Sequence, residues 1–578
     1  MKICKIIIFI FIVIKSASFA QDLSAIGKDN KPFKISGSVS ANQIFYTSDG
    51  IKNRRPPYNY FLSGNLNISV YGWSIPLSYT FSNQNSQFQQ PFNQFGMQPT
   101  YKWVKLYAGW NSMSFSAYSM NGHVFLGGGI QLTPPNNFRF SAMLGRLNKA
   151  IEEDTTNPTV TAAYQRMGGG FKVGYGKGTN FIDLILFTAK DNITSLDRPI
   201  LKSQVLPAEN AVASLVFSKT IAKKITISGE YATSALTRDV RFPTNEQSKS
   251  GIANTFVPFL KPNASTSIFD AFKVNANYSG SFYTVGVGFE RIDPGYKTLG
   301  AYYFNDDLQN ITGNGTLKLL KGKLNLTSNI GLQKNDLRNE KLSQMQRLVW
   351  SGSISFAATK RLNLSAGYSS FQSFTRIKTL EEQERAILQQ QLNSNIDTLR
   401  FTQISQSANS AANYSIGNLA NKDVKNTLNF TFSYQTAGEK RGDQNISAGT
   451  NFYNSNIGFN RNMNKKGLTI GVSINTNYNE LEKNKSFLLG PSINISKSFF
   501  DKKVKATFTT SWTNSFNNGV KNSEITNARL SANYTFKKKL AFNSNFTIIN
   551  RFTRSQSNTK NNQSFTEFTF TLGITYSF

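Results

Sequence analysis

The stretch that decides the fold is the last one, Glu567-Phe568-Thr569-Phe570-Thr571-Leu572-Gly573-Ile574-Thr575-Tyr576-Ser577-Phe578. Phe568, Phe570, Leu572, Ile574, Tyr576 and Phe578 hold every second position, and polar or small residues hold the rest. A strand turns successive side chains to opposite faces, so this segment has one apolar and one polar face. The pattern recurs upstream. Leu428, Phe430, Phe432 and Tyr434 alternate with Asn429, Thr431 and Ser433. Leu468, Ile470, Val472 and Ile474 alternate with Thr469, Gly471, Ser473 and Asn475. The same holds for Val504 to Trp512 and for Leu530 to Phe536. In these strands Lys505, Arg529 and Glu567 fall on the polar parity.

Alternation alone does not separate a barrel from a sandwich. The connections and the chain end do. Short turns, Phe500-Asp501-Lys502-Lys503 and Lys537-Lys538-Lys539, alternate with longer polar segments expected at 517–524 and 553–564. A chain that stops on an aromatic after such an apolar ladder resembles the Gram-negative outer-membrane β-barrels. The resemblance implies an all-β, antiparallel up-and-down transmembrane barrel, with Phe570, Leu572, Ile574, Tyr576 and Phe578 as the signal that the barrel-assembly machinery reads. It also implies short periplasmic turns, long extracellular loops, and contact with outer-membrane lipid and lipopolysaccharide.

The N-terminus agrees. Lys2 and Lys5, an apolar run from Ile6 to Ile14 and Ser18-Phe19-Ala20 have the order of a secretory signal peptide, with cleavage expected after Ala20. The run is too short to span a membrane as a helix, and Lys15 interrupts it. Residues 1–20 are therefore expected to be removed, taking the only cysteine, Cys4, and residues 21–578 to form one barrel domain. Mean hydropathy is −0.34, and no other segment is greasy enough for a spanning helix. A barrel strand needs apolar residues on one face only, so a membrane protein of this composition has the barrel as its solution. The formal charge is +32. The basic residues are dispersed rather than gathered in a motif, which favours lipopolysaccharide phosphates or anionic solutes over nucleic acid.

Repeated alternation separated by turns predicts roughly 24 strands, within 22 to 26, with an even number preferred. The region 34–133 is hardest to divide, and Ser114 to Gly129 reads as a strand, a hairpin or an inward fold. Insertions are expected at about 191–210, 237–264, 293–308 and 374–401, longer than ordinary connections. Thr379 with Glu382 forms a capping-box pattern, and Leu380, Ile387, Leu388 and Leu392 share a face, so 374–401 is expected as an extracellular loop with a short helix.

Chemistry-bearing motifs are sparse. His123 is the only histidine, and with Ser119 and Asn121 nearby it admits a rim hydrolase, against the simpler reading of a structural or lumen-facing side chain. A His/Cys zinc site is excluded by composition. Glu152-Glu153-Asp154 and Asp306-Asp307 are either solvated loop carboxylates or calcium ligands. Gly127 to Gly129, Gly168 to Gly170, and Gly174, Gly176 and Gly178 match no phosphate loop; they suit curvature or close packing against a ring. The 47 Phe and 23 Tyr suit a membrane-interface girdle, because in the clear strands the polar parity carries Ser, Thr, Asn and Lys rather than a sugar-binding aromatic track. No cofactor is expected.

Three functions follow from this reading. The first is a wide, polar-lined, porin-like channel whose inward Lys505 and Arg529 favour anions. Alternation begins near Lys34, which leaves no room for the N-terminal plug of a TonB-dependent transporter. The second is a non-conducting accessory subunit of a larger outer-membrane export or surface-assembly complex. The third, a hydrolase centred on His123, ranks last, and the chain is read as a non-enzyme. Whether the lumen is open or closed by loops is left open by the sequence.

Overall fold

The computed structural model describes residues 33–83, 94–153, 161–198, 200, 205–244, 259–341, 343–377, 400–441, 444–445, 449–481, 484–536, 539–554 and 564–578. The signal-peptide assignment to residues 1–20 and the helix expected within 378–399 lie outside these residues.

Alternating residues make strands here, and the strands close. Each pairs antiparallel with its neighbours in sequence, and the first, Phe33–Asp49, pairs with the last, Phe565–Ser577. That seam runs from Ser38 opposite Ser577 to Asp49 opposite Thr566. The run Gln94–Met97 and Thr100–Tyr101 is one strand interrupted at Gln98-Pro99, and Gln444–Asn445 belongs with Thr450–Met463. The result is a closed barrel of 26 strands, at the top of the expected range. Closure removes both sheet edges, so no strand is left with an unpaired row of backbone groups. At about 4.8 Å between strands and a tilt of roughly 40°, such a wall measures about 160 Å around.

Phe33 and Phe578 lie at one end. Connections at that end are short, as at Tyr71-Gly72, 222–224 and 500–503. The strands that precede the four expected insertions end at the far end, at Asn192, Thr237, Ile292 and Ile377. The polar loop expected at 517–524 is not one. The strands run to Asn517 and resume at Val520, leaving Asn518-Gly519 with φ of 48° and 83°. Asn-Gly with both residues at positive φ is a two-residue hairpin turn, and the polarity around it belongs to the strands' ends. The ambiguous Ser114 to Gly129 resolves into the end of Val104–Ser114, an inward connection at 115–120, and the strand Asn121–Leu132.

Outward parity is apolar around the whole circuit. Leu184, Leu215, Val287, Ile330, Ile354, Ile457, Ile474, Leu530 and Ile574 are among the large side chains left exposed there. A continuous apolar girdle of this extent is not left facing water in monomeric soluble proteins. Aromatic rows mark the strand ends, as in Tyr434, Tyr453 and Tyr478, whose rings follow at 4.9 and 5.9 Å, and Tyr576 with Phe578 at 5.0 Å.

Candidate functional site: a two-sided lumen

Phe570, Leu572, Ile574 and Tyr576 face outward on the closing strand, with Phe578 just beyond its end. Phe570 meets Phe45 of the first strand across the seam at 6.1 Å. Glu567 faces inward, buried, and accepts a hydrogen bond from the Tyr46 hydroxyl at 2.8 Å, with the Arg54 guanidinium 3.6 Å away. Lys505 and Arg529 also face inward and are solvent-exposed; Arg529 donates to Asn545 at 2.9 Å. Neither takes part in an ion pair among the described residues. Lys505, Arg529 and Glu567 share the polar parity of the pairing and do not form one cluster.

The sequence missed the largest feature of the lumen. Two far-end connections, 115–120 and 293–307, fold inward and pack on the wall. Tyr118 shows where they lie. Its backbone N–H donates to Glu230 at 3.3 Å, and its hydroxyl donates to Glu290 at 2.6 Å. Glu230 and Glu290 belong to Ile225–Thr237 and Tyr283–Ile292, several strands from Tyr118's own pair. Such a contact is a chord across the concave side of the wall. Ser214 donates to Glu230 at 2.8 Å, and Asn310 donates to Glu290 at 2.7 Å. Lys273 sits in register between the two glutamates. Burial, then the bond to Glu290, raises the Tyr118 phenol above its ordinary range; burial raises Tyr296 as well.

The two connections bind each other. The Tyr296 hydroxyl donates to the Tyr118 carbonyl at 2.8 Å, and the Thr298 hydroxyl to the Ser119 carbonyl at 2.5 Å. Asn210, fully buried, accepts from the Leu299 N–H at 3.1 Å and donates to Ser234 at 2.8 Å. Beneath them lies a dry layer of Tyr107, Met113, Phe115, Phe125, Ile185 and Phe187, capped by Leu299. Glycine makes room for it. A Cβ on Gly170 would stand 2.5 Å from the Leu186 carbonyl and 3.1 Å from the Phe115 ring, and one on Gly129 would stand 2.8 Å from the Met113 sulfur. Two ion pairs complete this wall: Arg166 grips Asp191 at 2.8 and 2.9 Å, and Arg139 meets Asp183 at 2.7 Å.

His123 belongs to this packing. It is buried, stacked on Tyr302 at 4.1 Å, with Nδ1 2.8 Å from the Val124 carbonyl. Ser119 is wholly buried and meets Ser116 at 2.6 Å and Thr298 through its carbonyl. Among the interactions found, none joins His123 to Ser119 as base to nucleophile. The acidic pairs are used in loop architecture: Glu152 accepts from the Asp197 N–H at 2.8 Å, and buried Asp307 accepts from the Asp336 and Leu337 N–H groups and pairs with Lys341. No group of three or more candidate metal ligands converges among the described residues.

A signal for the dry wall did exist. Asn180–Asn192 has Ile182, Leu184 and Leu186 on one parity and Ile185, Phe187 and Ala189 on the other. A strand apolar on both faces is covered on both faces.

The opposite wall is wet. From Ser343–Ala357 round to Leu540–Thr553 the inward parity carries Ser353, Ser365, Asn409, Thr431, Asn475, Asn527 and Asn543. Many of these side chains are exposed, because no described segment covers them.

No protein-family model and no curated protein matches the chain. Solved structures do. OccK10 (OpdN) of Pseudomonas aeruginosa is similar over 59% of this chain and 94% of its own, with 11% identity and a TM-score of 0.31. OccAB4 of Acinetobacter baumannii is similar over 73% and 100%, with 15% identity and a TM-score of 0.28. The translocation pore of the P pilus usher PapC is similar over 94% and 99%, with 10% identity and a TM-score of 0.25.

Proposed function

We propose that this chain is an integral outer-membrane channel, porin-like in action, that conducts polar solutes along the wet side of its lumen. The observation that carries the reading is the pairing of an apolar outer girdle with an inner wall whose Ser, Thr and Asn side chains stay solvent-exposed. A closed sheet with those two faces fits a bilayer outside and water inside. The inward connections narrow the passage from one side. Lipid and lipopolysaccharide are its surroundings in this reading, and the assembly machinery reads its last strand.

Anion preference is part of the proposal. Asp183, Asp191 and Glu567 each have a guanidinium partner, whereas Lys505 and Arg529 stand exposed without a carboxylate among the described residues. Unpaired cations lining a pore raise the local concentration of anions. The test is a planar-bilayer recording under a salt gradient. Current with an anion-selective reversal potential is expected, moving toward cation selectivity in a Lys505→Glu, Arg529→Glu double variant. A folded barrel that passes no current would overturn the channel; cation selectivity in the unaltered protein would overturn the preference.

A further inference from the structure

The wet wall carries a recess of about 530 Å³ where five strands, from Arg400–Ile416 to Asn484–Phe499, meet Val504–Asn517. Its lumen side is built from cross-strand rows. Ser433 lies opposite Asn454, which lies opposite Asn477; one pleat along, Thr431, Asn456 and Asn475 form a second row. The amides are already linked. Asn477 donates to Asn454, Asn454 donates to Ser433 at 3.3 Å, Asn456 donates to Asn475, and Asn475 donates to the Gly490 carbonyl at 3.4 Å. These bonds hold the amide planes in place before any ligand arrives.

The linkage leaves hydrogen-bonding capacity over. The Asn477 side-chain oxygen accepts no hydrogen bond but is shielded from the lumen, so the spare capacity lies with the donors. A primary amide has two N–H donors, of which each linked asparagine commits one here. No ionisable side chain lines the recess. Beside it, one pleat from Asn454 on the same inward parity, stands Phe452, opposite Asn479 and 37% exposed. Leu488 faces the same way opposite Asn477, so the amide rows are flanked by two apolar side chains that suit an apolar-faced ligand.

Those features select a ligand class. An ion would find no counter-charge. A hydroxyl both donates and accepts, so a row of hydroxyls meets a row of half-used amides on equal terms. The C–H face of a sugar ring matches the Phe452 ring. We propose that this recess binds uncharged, polyhydroxylated solutes, namely oligosaccharides, as they traverse the lumen. The proposal deepens the channel reading, and it rests on that reading only in needing a lumen that solutes can enter.

The test is calorimetric titration of the full-length, detergent-solubilised barrel with maltohexaose. Saturable binding is expected, weakened at least tenfold by Asn477→Leu and by Phe452→Ala. Folding of each variant is checked by its heat-dependent electrophoretic mobility, and Phe452→Ala, at an exposed position, keeps the test valid if Asn477→Leu does not fold. No saturable binding to the unaltered protein, or equal binding by the folded variants, overturns the site. Ion current is measured separately, so a conducting barrel that does not bind sinks the site alone. A barrel that binds without conducting supports the site and sinks the channel.

Discussion

Tyr118 joins three parts of the chain that are far apart in sequence. Its backbone reaches Glu230, its hydroxyl Glu290, and its carbonyl receives Tyr296. Its phenol is held protonated by burial and by that carboxylate. For an acid whose pKa is raised on folding, the stabilisation is whole below the ordinary tyrosine value of 10.0 and is withdrawn as pH rises above it. The unfolding temperature should therefore fall more steeply between about pH 9 and about pH 11 in the unaltered protein than in Tyr118→Phe. The variant itself should lose about 1.5–3 kcal/mol at neutral pH, the usual worth of a hydrogen bond to a charged acceptor. A residue of this kind is invisible in sequence: nothing in Phe115-Ser116-Ala117-Tyr118-Ser119-Met120 says that its partners lie more than a hundred residues away.

The elements differ in how plainly they could be read. Leu428 to Tyr434 or Leu530 to Phe536 alternate cleanly because the outer and inner sides of a single-layer sheet impose opposite demands. Gln165–Lys177 and Asn180–Asn192 do not, because the inner side of each is pressed against a second layer. Their blurred alternation reports that layer. The closing strand alternates plainly, and Glu567 on its polar parity accepts from the Tyr46 hydroxyl. The inward connection 293–307 was visible only as an over-long insertion, since what draws it inside is tertiary packing. Leu299 is the point of contact, 3% exposed against the dry layer. Leu299→Ala should cost about 2–5 kcal/mol, as cavity-forming truncations do. Val472→Ala, on the exposed outward parity of a single-layer strand, should cost clearly less; the comparison is made by denaturant titration of both variants in the same detergent.

At the scale of the whole molecule the barrel is lopsided. Strands from Val104–Ser114 to Tyr283–Ile292 carry an inner layer, while those from Ser343–Ala357 to Leu540–Thr553 have no such layer among the described residues. Backbone amides under a dry layer open through larger, rarer fluctuations than amides beside water. Hydrogen exchange followed by mass spectrometry should accordingly find Asn180–Asn192 and Glu209–Ile221 slower than Leu468–Leu481 and Val504–Asn517, although all four are paired on both sides.

The padded arc has a mechanical corollary. Close-packed interiors resist compression, whereas one unbacked sheet bends with its twist. In the membrane setting proposed above, lateral pressure would then be taken up unevenly, the padded side holding its curvature and the bare side flattening. The cross-section would respond to crowding or tension by becoming more oval, and the width available to a passing molecule would depend on how tightly the membrane squeezes.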